Sequence, residues 1–281
     1  PKGLETDAYV VPKAEQREEI DSPDYHGGVV YPRHAGLDPG AYHKELLARV
    51  RAAGATVIGQ CAATGIAGTA GDFTIQTAKG PIRARDIIVA TNGYTRGLSP
   101  WHRRRIIPIG SYIIATDRLA PDLIQRLIPT RRMINDTRKL VVYYRTDPAG
   151  ERILFGARVS IAETDPTEAV PALHAELVTR FPDLAETQVS HAWMGFVGYT
   201  FDEMPHLGAR DGIHYSMGYC GSGVGLSSYF GTKIGKQVLG LKEGDSPLTQ
   251  IDFPTRPYYW GKPWFLAPAV RYYRWKDARA A

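Results

Sequence analysis

Cysteine is scarce in this 281-residue chain: only Cys61 and Cys220 occur, and they form no C-x-x-C pair. That count argues against a disulfide framework and against a structural zinc site, so no metal is expected. Long apolar runs are also missing. No stretch of about 18 hydrophobic residues is present, and no membrane-crossing helix is expected. The formal net charge is +5, and nothing resembles a basic arm or an Arg-rich run, so nucleic acid is not an expected partner. No cleavable leader is visible, which leaves the cytoplasm as the default compartment. The chain opens on Pro1-Lys2-Gly3 without a Met, as a processed, cut or partial chain would. The dinucleotide fingerprint G-x-G-x-x-G is absent as well.

What is present suits an ordinary globular protein. Hydrophobic residues make up 43% and charged residues 22% of the chain, enough apolar material for a core. Gly27 to Pro32 reads as a short strand. Asp38-Pro39 then supplies an N-cap and a first helical position. Tyr42, Leu46, Leu47 and Val50 recur at helical spacing up to Gly54. A strand is predicted at Thr56-Val57-Ile58, and a hairpin from Phe73–Thr77 and Pro81–Arg85 about the Lys79-Gly80 turn. Asp86 to Ala90 is a continuous apolar run of the kind found in buried parallel strands. From Arg96 the texture becomes β-rich, with strands predicted in Ile106–Thr116, Leu140–Arg145, Ile153–Gly156 and Val189–Phe196. A helix is predicted at Pro171–Phe181 and another at Leu226–Leu239. The aromatic and Pro-rich stretch Pro254–Trp275 is expected to wrap the surface.

Three motifs carry chemistry. In Gly218-Tyr-Cys-Gly221-Ser-Gly223-Val-Gly225 a Gly-rich turn feeds a helix and exposes backbone N–H groups at the positive end of its dipole. Such a site suits a phosphate or the N1–C2=O edge of a flavin ring, although a turn serving only helix packing has the same composition. The buried strand ending in Ala90-Thr91-Asn92-Gly93 permits close passage of a cofactor at the carboxyl edge of a sheet. Trp193 to Gly208 fixes a loop in which Asp202 reads as a turn former rather than an acid or base.

These elements, in this order, resemble the D-amino acid oxidase superfamily of flavoproteins, which includes glycine oxidase, sarcosine oxidase and γ-glutamylputrescine oxidoreductase. Gly27-Gly28…Pro32…Gly36-Leu37-Asp38-Pro39 resembles the family's link into its third helix, and Arg85 to Tyr94 its second FAD strand. Trp193…Pro205…Gly208 and Gly218–Gly225 resemble its C-terminal flavin-contact motif. Ser111–Thr116, Tyr144-Arg145 and Ile153–Arg158 resemble substrate-domain strands of the γ-glutamylputrescine oxidoreductase branch.

The resemblance implies an α/β (α+β) fold, in which a Rossmann-like FAD-binding domain, incomplete at its N-terminus, joins a β-rich, largely antiparallel substrate domain. The expected segments are 1–96 and 186–245 for the FAD domain, 97–185 for the substrate domain and 246–281 for an aromatic tail. The implied activity is oxidation of the C–N bond of an amine or amino acid, with hydride passing to flavin N5. The implied cofactor contacts are Gly221, Ser222, Gly223, Val224 and Gly225 near the isoalloxazine, and Ala90, Thr91, Asn92 and Gly93 along the ADP side. Ala63 stands where the family usually has a Val meeting the adenine. Val197 stands where some members attach FAD through Cys and where others place a carboxylate-binding Arg, so non-covalent FAD is expected. Cys220 reads as a small buried thiol.

His34, Tyr112 and Arg145 are the substrate-cavity candidates, with Tyr143 and His191 beside them. The expected partner is a small-molecule amine. A further segment or partner chain is expected to complete the FAD site. The alternative is a non-catalytic fragment, or one subunit of a hetero-oligomeric flavoprotein. Trp260–Leu266 and Tyr272–Trp275, aromatic with basic neighbours, leave peripheral membrane contact open.

Overall fold

Ile20, Tyr112, Ile114, Tyr144, Phe155, Leu173, Leu177 and Phe181 come from several segments of the chain and meet in one buried apolar cluster. It is the core of the first of two compact units, made of the residues up to His43, Ser111–Gly195 and the residues from Phe265 onward. The computed structural model describes residues 7–157 and 163–280. Burying each such side chain contributes about 1.5–3 kcal/mol before the cost of ordering it.

Within this unit, strands β1 (Tyr9–Pro12) and β2 (Gly27–Val30) form an antiparallel hairpin. A five-stranded sheet has the order β11-β7-β10-β9-β8, with β7 Ile107–Thr116 (in this unit from Ser111), β8 Ile134–Asn135, β9 Tyr143–Thr146, β10 Ile153–Ala157 and β11 Val189–Tyr199 (in this unit up to Gly195). The pairs β7–β10, β10–β9 and β9–β8 are antiparallel, as the turn-punctuated sequence predicts. Helices α3 (Pro121–Leu127) and α4 (Pro166–Arg180) supply buried Leu and Ile to the core. Helix α4 starts five residues before the predicted Pro171, because Asp165 caps it by accepting from the Thr167 N–H at 2.9 Å. Helix α6 (Leu266–Ala280) occupies much of the stretch expected to wrap the surface.

The second unit comprises Lys44–Gly110 and Phe196–Trp264. Helix α1 (Pro39–Ala52) begins in the first unit and runs into it, capped by the Asp38 carboxylate on the N–H groups of Gly40 and Ala41. An antiparallel sheet of β3 (Ala63–Thr69), β4 (Asp72–Thr77) and β5 (Ile82–Ala84) follows. The predicted hairpin is β4–β5. The predicted strand at 56–58 is not formed, and β3 was not legible in its Gly- and Ala-rich sequence. A third sheet, β12 (His206–Arg210), β13 (Ile213–Met217) and β6 (Ile87–Val89), has β6 parallel to β13. The short helix α2 (Pro100–Arg103) and the longer α5 (Gly223–Val238) complete the unit. Its principal core joins Val89, Ile106, Tyr215, Met217 and Phe253.

The unit boundaries differ from the expected segments. The stretch before His43, expected with the FAD domain, belongs to the first unit because Ile20 and Tyr25 pack into that unit's core. The expected tail 246–281 is divided at Trp264.

Candidate functional site

In the second unit, β13 runs into the Gly-rich turn and then into α5. Gly218, Cys220 and Gly221 take φ values of +80°, +50° and +100°, the left-handed region that glycine enters without strain and Cys does not. Cys220 holds that conformation by donating its N–H to the Gly198 carbonyl at 3.1 Å. Its half-buried sulfur lies 3.2 Å from the Gly218 carbonyl and 3.6 Å from the Thr200 hydroxyl. Burial raises its pKa, keeping it a neutral thiol.

Helix α5 begins at Gly223 rather than at the predicted Leu226. Its N-cap Ser222 makes no capping bond, and the N–H groups of Gly223, Val224 and Gly225 have no acceptor among the described residues. A Cβ placed on Gly221 or Gly225 would meet nothing within 4 Å. Open space over glycine, beside three donor amides at the positive end of a 16-residue helix, is an arrangement that receives a flat or anionic group. These residues fit the edge of a flavin ring.

The end of β6 is bonded to the same turn. Asn92, at φ +43°, accepts the Gly218 N–H with its side-chain oxygen at 2.9 Å. A Cβ on Gly198 would fall 2.3 Å from that oxygen, and one on Gly93 would fall 2.7 Å from the Phe196 carbonyl. Asn92 and Gly93 therefore knit β6, β11 and the turn together. Ala90 and Thr91 are exposed, with the Thr91 hydroxyl 2.7 Å from that of Thr95. Ala63 is half-buried at the start of β3, opposite Thr77. Asp202 closes a turn through the Met204 N–H at 3.2 Å and meets His206 Nε2 at 3.1 Å.

In the first unit a cavity of about 1380 Å³ opens beside β2 and β9, and His34 and Arg145 both line it. His34 is exposed and stacks on Tyr31 at 5.1 Å. Arg145 Nη1 donates to the Leu37 carbonyl at 2.7 Å. Tyr112 does not line this cavity. It is fully buried in the core, its hydroxyl donating to Glu163 at 3.0 Å and accepting the Thr164 N–H at 2.9 Å. The hydrophobic alternation of β7 turns it inward, so the structure separates it from His34 and Arg145. Tyr143 lies across Gly156 and bonds the Ser111 hydroxyl, and exposed His191 meets Ser190 at 3.0 Å.

The sequence reading missed two things. The clamp of Asn92 on Gly218 had one local signal, an Asn-Gly pair after an apolar strand, but its partner is 126 residues away. The cavity's other charged lining, which includes Glu19, Asp24, Asp136, Arg131, Arg132 and Arg138, had none, since segments far apart in sequence assemble it.

Comparison with known proteins supplies the frame. The DAO family profile, FAD dependent oxidoreductase, matches residues 2–236. Gamma-glutamylputrescine oxidoreductase of Escherichia coli is 31% identical over 208 residues, covering 72% of this chain and 48% of that protein. A probable oxidoreductase, OrdL, of Rhizobium meliloti is 29% identical over 239 residues, covering 85% and 55%. This chain thus spans about half the length of these relatives. Among solved structures, glycine oxidase from Geobacillus kaustophilus aligns with a TM-score of 0.71 at 16% identity, covering 92% of this chain and 69% of that one. L-proline dehydrogenase from P. horikoshii aligns with a TM-score of 0.68 at 15% identity, covering 94% and 70%; at these identities the two structures speak for the fold. With a matched profile over most of its length and that fold, the chain belongs to the DAO family of FAD dependent oxidoreductases.

Proposed function

We propose that this chain forms the flavin-contact and substrate-binding parts of an enzyme that oxidises the C–N bond of an amine or amino acid. The family match supports the reaction class, and the observation that carries the residue assignment is the open N-terminus of α5, with its three acceptor-free amides and uncovered glycines. When bound, FAD would supply the two-electron acceptor for this oxidation.

The protein's own contribution is binding and electrostatics. The amides of Gly223, Val224 and Gly225 would hold the pyrimidine edge of the ring, where negative charge grows on reduction, and the helix dipole would favour that charge. Gly221 and Gly225 would let the ring approach the backbone, and the exposed Ala90 and Thr91 would leave room along the ADP half. Val197, half-buried on β11, offers neither a thiol for covalent attachment nor a cation for an α-carboxylate. FAD is accordingly non-covalent, and acid precipitation of the full-length protein releases it to the supernatant; a yellow pellet contradicts this.

Anaerobic flavin reduction with glycine, sarcosine, D-alanine and γ-glutamylputrescine tests the reaction class. At least one amine is expected to bleach the flavin band, with γ-glutamylputrescine fastest, because Val197 cannot pair with the carboxylate of a simple amino acid. The Gly223→Leu protein is expected to fold and to lose turnover, since a side chain there displaces the ring. No bleaching by any of the four counts against amine oxidation.

A further inference from the structure

Helix α6 turns one seam inward and leaves the opposite face bare. Val270, which is 3% exposed, and half-buried Asp277 stand two turns apart on one side of the helix. The Asp277 carboxylate accepts the N–H groups of Lys139 and Leu140. At about 3.6 residues per turn, Pro268, Tyr272, Trp275 and Arg279 fall on the side away from that seam. All four are exposed, Tyr272 by 55% and Trp275 by 52%. Arg271 and Lys276, also exposed, flank this stripe on its two edges. The stripe is ordered within itself. The Tyr272 and Trp275 rings lie 6.0 Å apart, and the Arg279 guanidinium stands 4.0 Å over the Trp275 ring.

Charge sets the kind of surface this face fits. Four cations, Arg271, Arg274, Lys276 and Arg279, stand on α6 against one acid, Asp277, whose carboxylate is engaged by the backbone at 139 and 140. Elsewhere in the unit Arg126, Arg132 and Arg138 sit on carboxylates, whereas none of the four cations of α6 makes an ion pair among the described residues. Lys139, exposed beside the Asp277 anchor, adds a fifth positive charge. Uncompensated positive charge complements an anionic surface. An acidic protein would be met by the cations alone. The two outward rings single out a bilayer, because Trp and Tyr suit the headgroup level, where the ring body is in apolar surroundings and its N–H or O–H meets water.

We propose that this face of α6 lies flat on an anionic phospholipid surface, with Tyr272 and Trp275 at the headgroup level and Arg271, Lys276 and Arg279 on lipid phosphates. Among the described residues no helix is long and apolar enough to cross a membrane, and α6, roughly 22 Å long, docks in the plane of the interface as aromatic and basic helices do. The proposal is independent of the reaction that the protein catalyses.

The test is co-sedimentation of the full-length protein with vesicles of phosphatidylcholine alone and of phosphatidylcholine mixed equally with phosphatidylglycerol. The protein is expected to pellet with the mixed vesicles, to stay in the supernatant with the neutral ones, and to be released by salt. Two sets of substitutions separate the contributions: Tyr272→Ser with Trp275→Ser, and Arg271→Gln with Lys276→Gln and Arg279→Gln. Each set is expected to weaken binding about tenfold or more. Circular dichroism and turnover should not change, since the substituted side chains face solvent. No pelleting with mixed vesicles, equal pelleting with both lipids, or unchanged binding in either set overturns the proposal. Retention on polyglutamate without pelleting on vesicles identifies an acidic protein as the partner and overturns it as well. Trp275→Phe, the mildest change in the stripe, keeps the test decisive if a heavier variant fails to fold. Tryptophan emission is expected to shift to the blue on mixed vesicles in the parent protein and not in Trp275→Phe, and a shift that survives the substitution contradicts docking through α6.

Discussion

Asn92 holds a left-handed conformation and a long-range hydrogen bond at once. Asn tolerates that backbone better than most residues, and its oxygen satisfies an N–H that the turn leaves over. Asn92→Ala is expected to cost about 1–3 kcal/mol, and Asn92→Asp, which keeps the acceptor, distinctly less. For Gly93→Ala the obstruction is backbone, the Phe196 carbonyl, and a loss of about 1–3 kcal/mol is expected from overpacking. Urea denaturation of the three variants measures both. A pH dependence comes from His102, which is 2% exposed. Its burial, and then the neighbouring Arg105 and Arg210, lower its pKa from 6.5 to about 4. The unfolded chain therefore takes up a proton between about pH 6.5 and 4 that the folded chain refuses. Stability contributed by neutral His102 is complete above pH 6.5 and lost as the pH falls toward 4, up to about 3 kcal/mol. His102→Gln should flatten the stability profile in that interval, and an unchanged slope there would show that other groups govern acid unfolding.

Helix α1 shows how pattern and burial part company. Tyr42, Leu46 and Val50 announce a helix by their spacing, and the helix forms, yet none of its residues is buried and these three are 38%, 45% and 37% exposed. Periodicity reports a face that can be covered and says nothing of what covers it. Helix α6 is the converse. Its Pro- and aromatic-rich sequence hid it, and one carboxylate anchors it: Asp277 accepts the N–H groups of Lys139 and Leu140, each at 3.0 Å. No local sequence signal could reveal a partner 138 residues away. Asp277→Ala is expected to leave two donor groups without their acceptor, cost about 1–3 kcal/mol and speed amide exchange at 139, 140 and along 266–280. If exchange speeds at 139 and 140 while the helix keeps its protection, Val270, which is 3% exposed, is the stronger anchor.

At the scale of the molecule, the order of elements was legible and their grouping was not. Turn residues and apolar runs located most strands, but Ile213 pairing with Ile87 and Ile20 joining Phe155 are long-range choices that no local pattern encodes. The Gly-rich turn was readable because its chemistry is local; the cavity was not, because segments distant in sequence meet there. The G-x-G-x-x-G cradle is not among these 281 residues, and helix N-termini of that kind supply much of the grip on pyrophosphate. The purified chain is expected to lose FAD in gel filtration, and stoichiometric retention would show that the α5 end suffices. Both units are interrupted in sequence, and this gives their folding on the ribosome an order. The apolar cluster of the first unit is complete once Met194 has been made, whereas the principal core of the second needs Phe253 to meet Val89 and Ile106. At 5–20 residues per second, roughly 3 to 12 s separate the two events. Throughout that interval the nascent chain carries one finished core and one pair of waiting apolar segments, which makes codons 195 to 253 the stretch where pausing invites a chaperone or an aggregate.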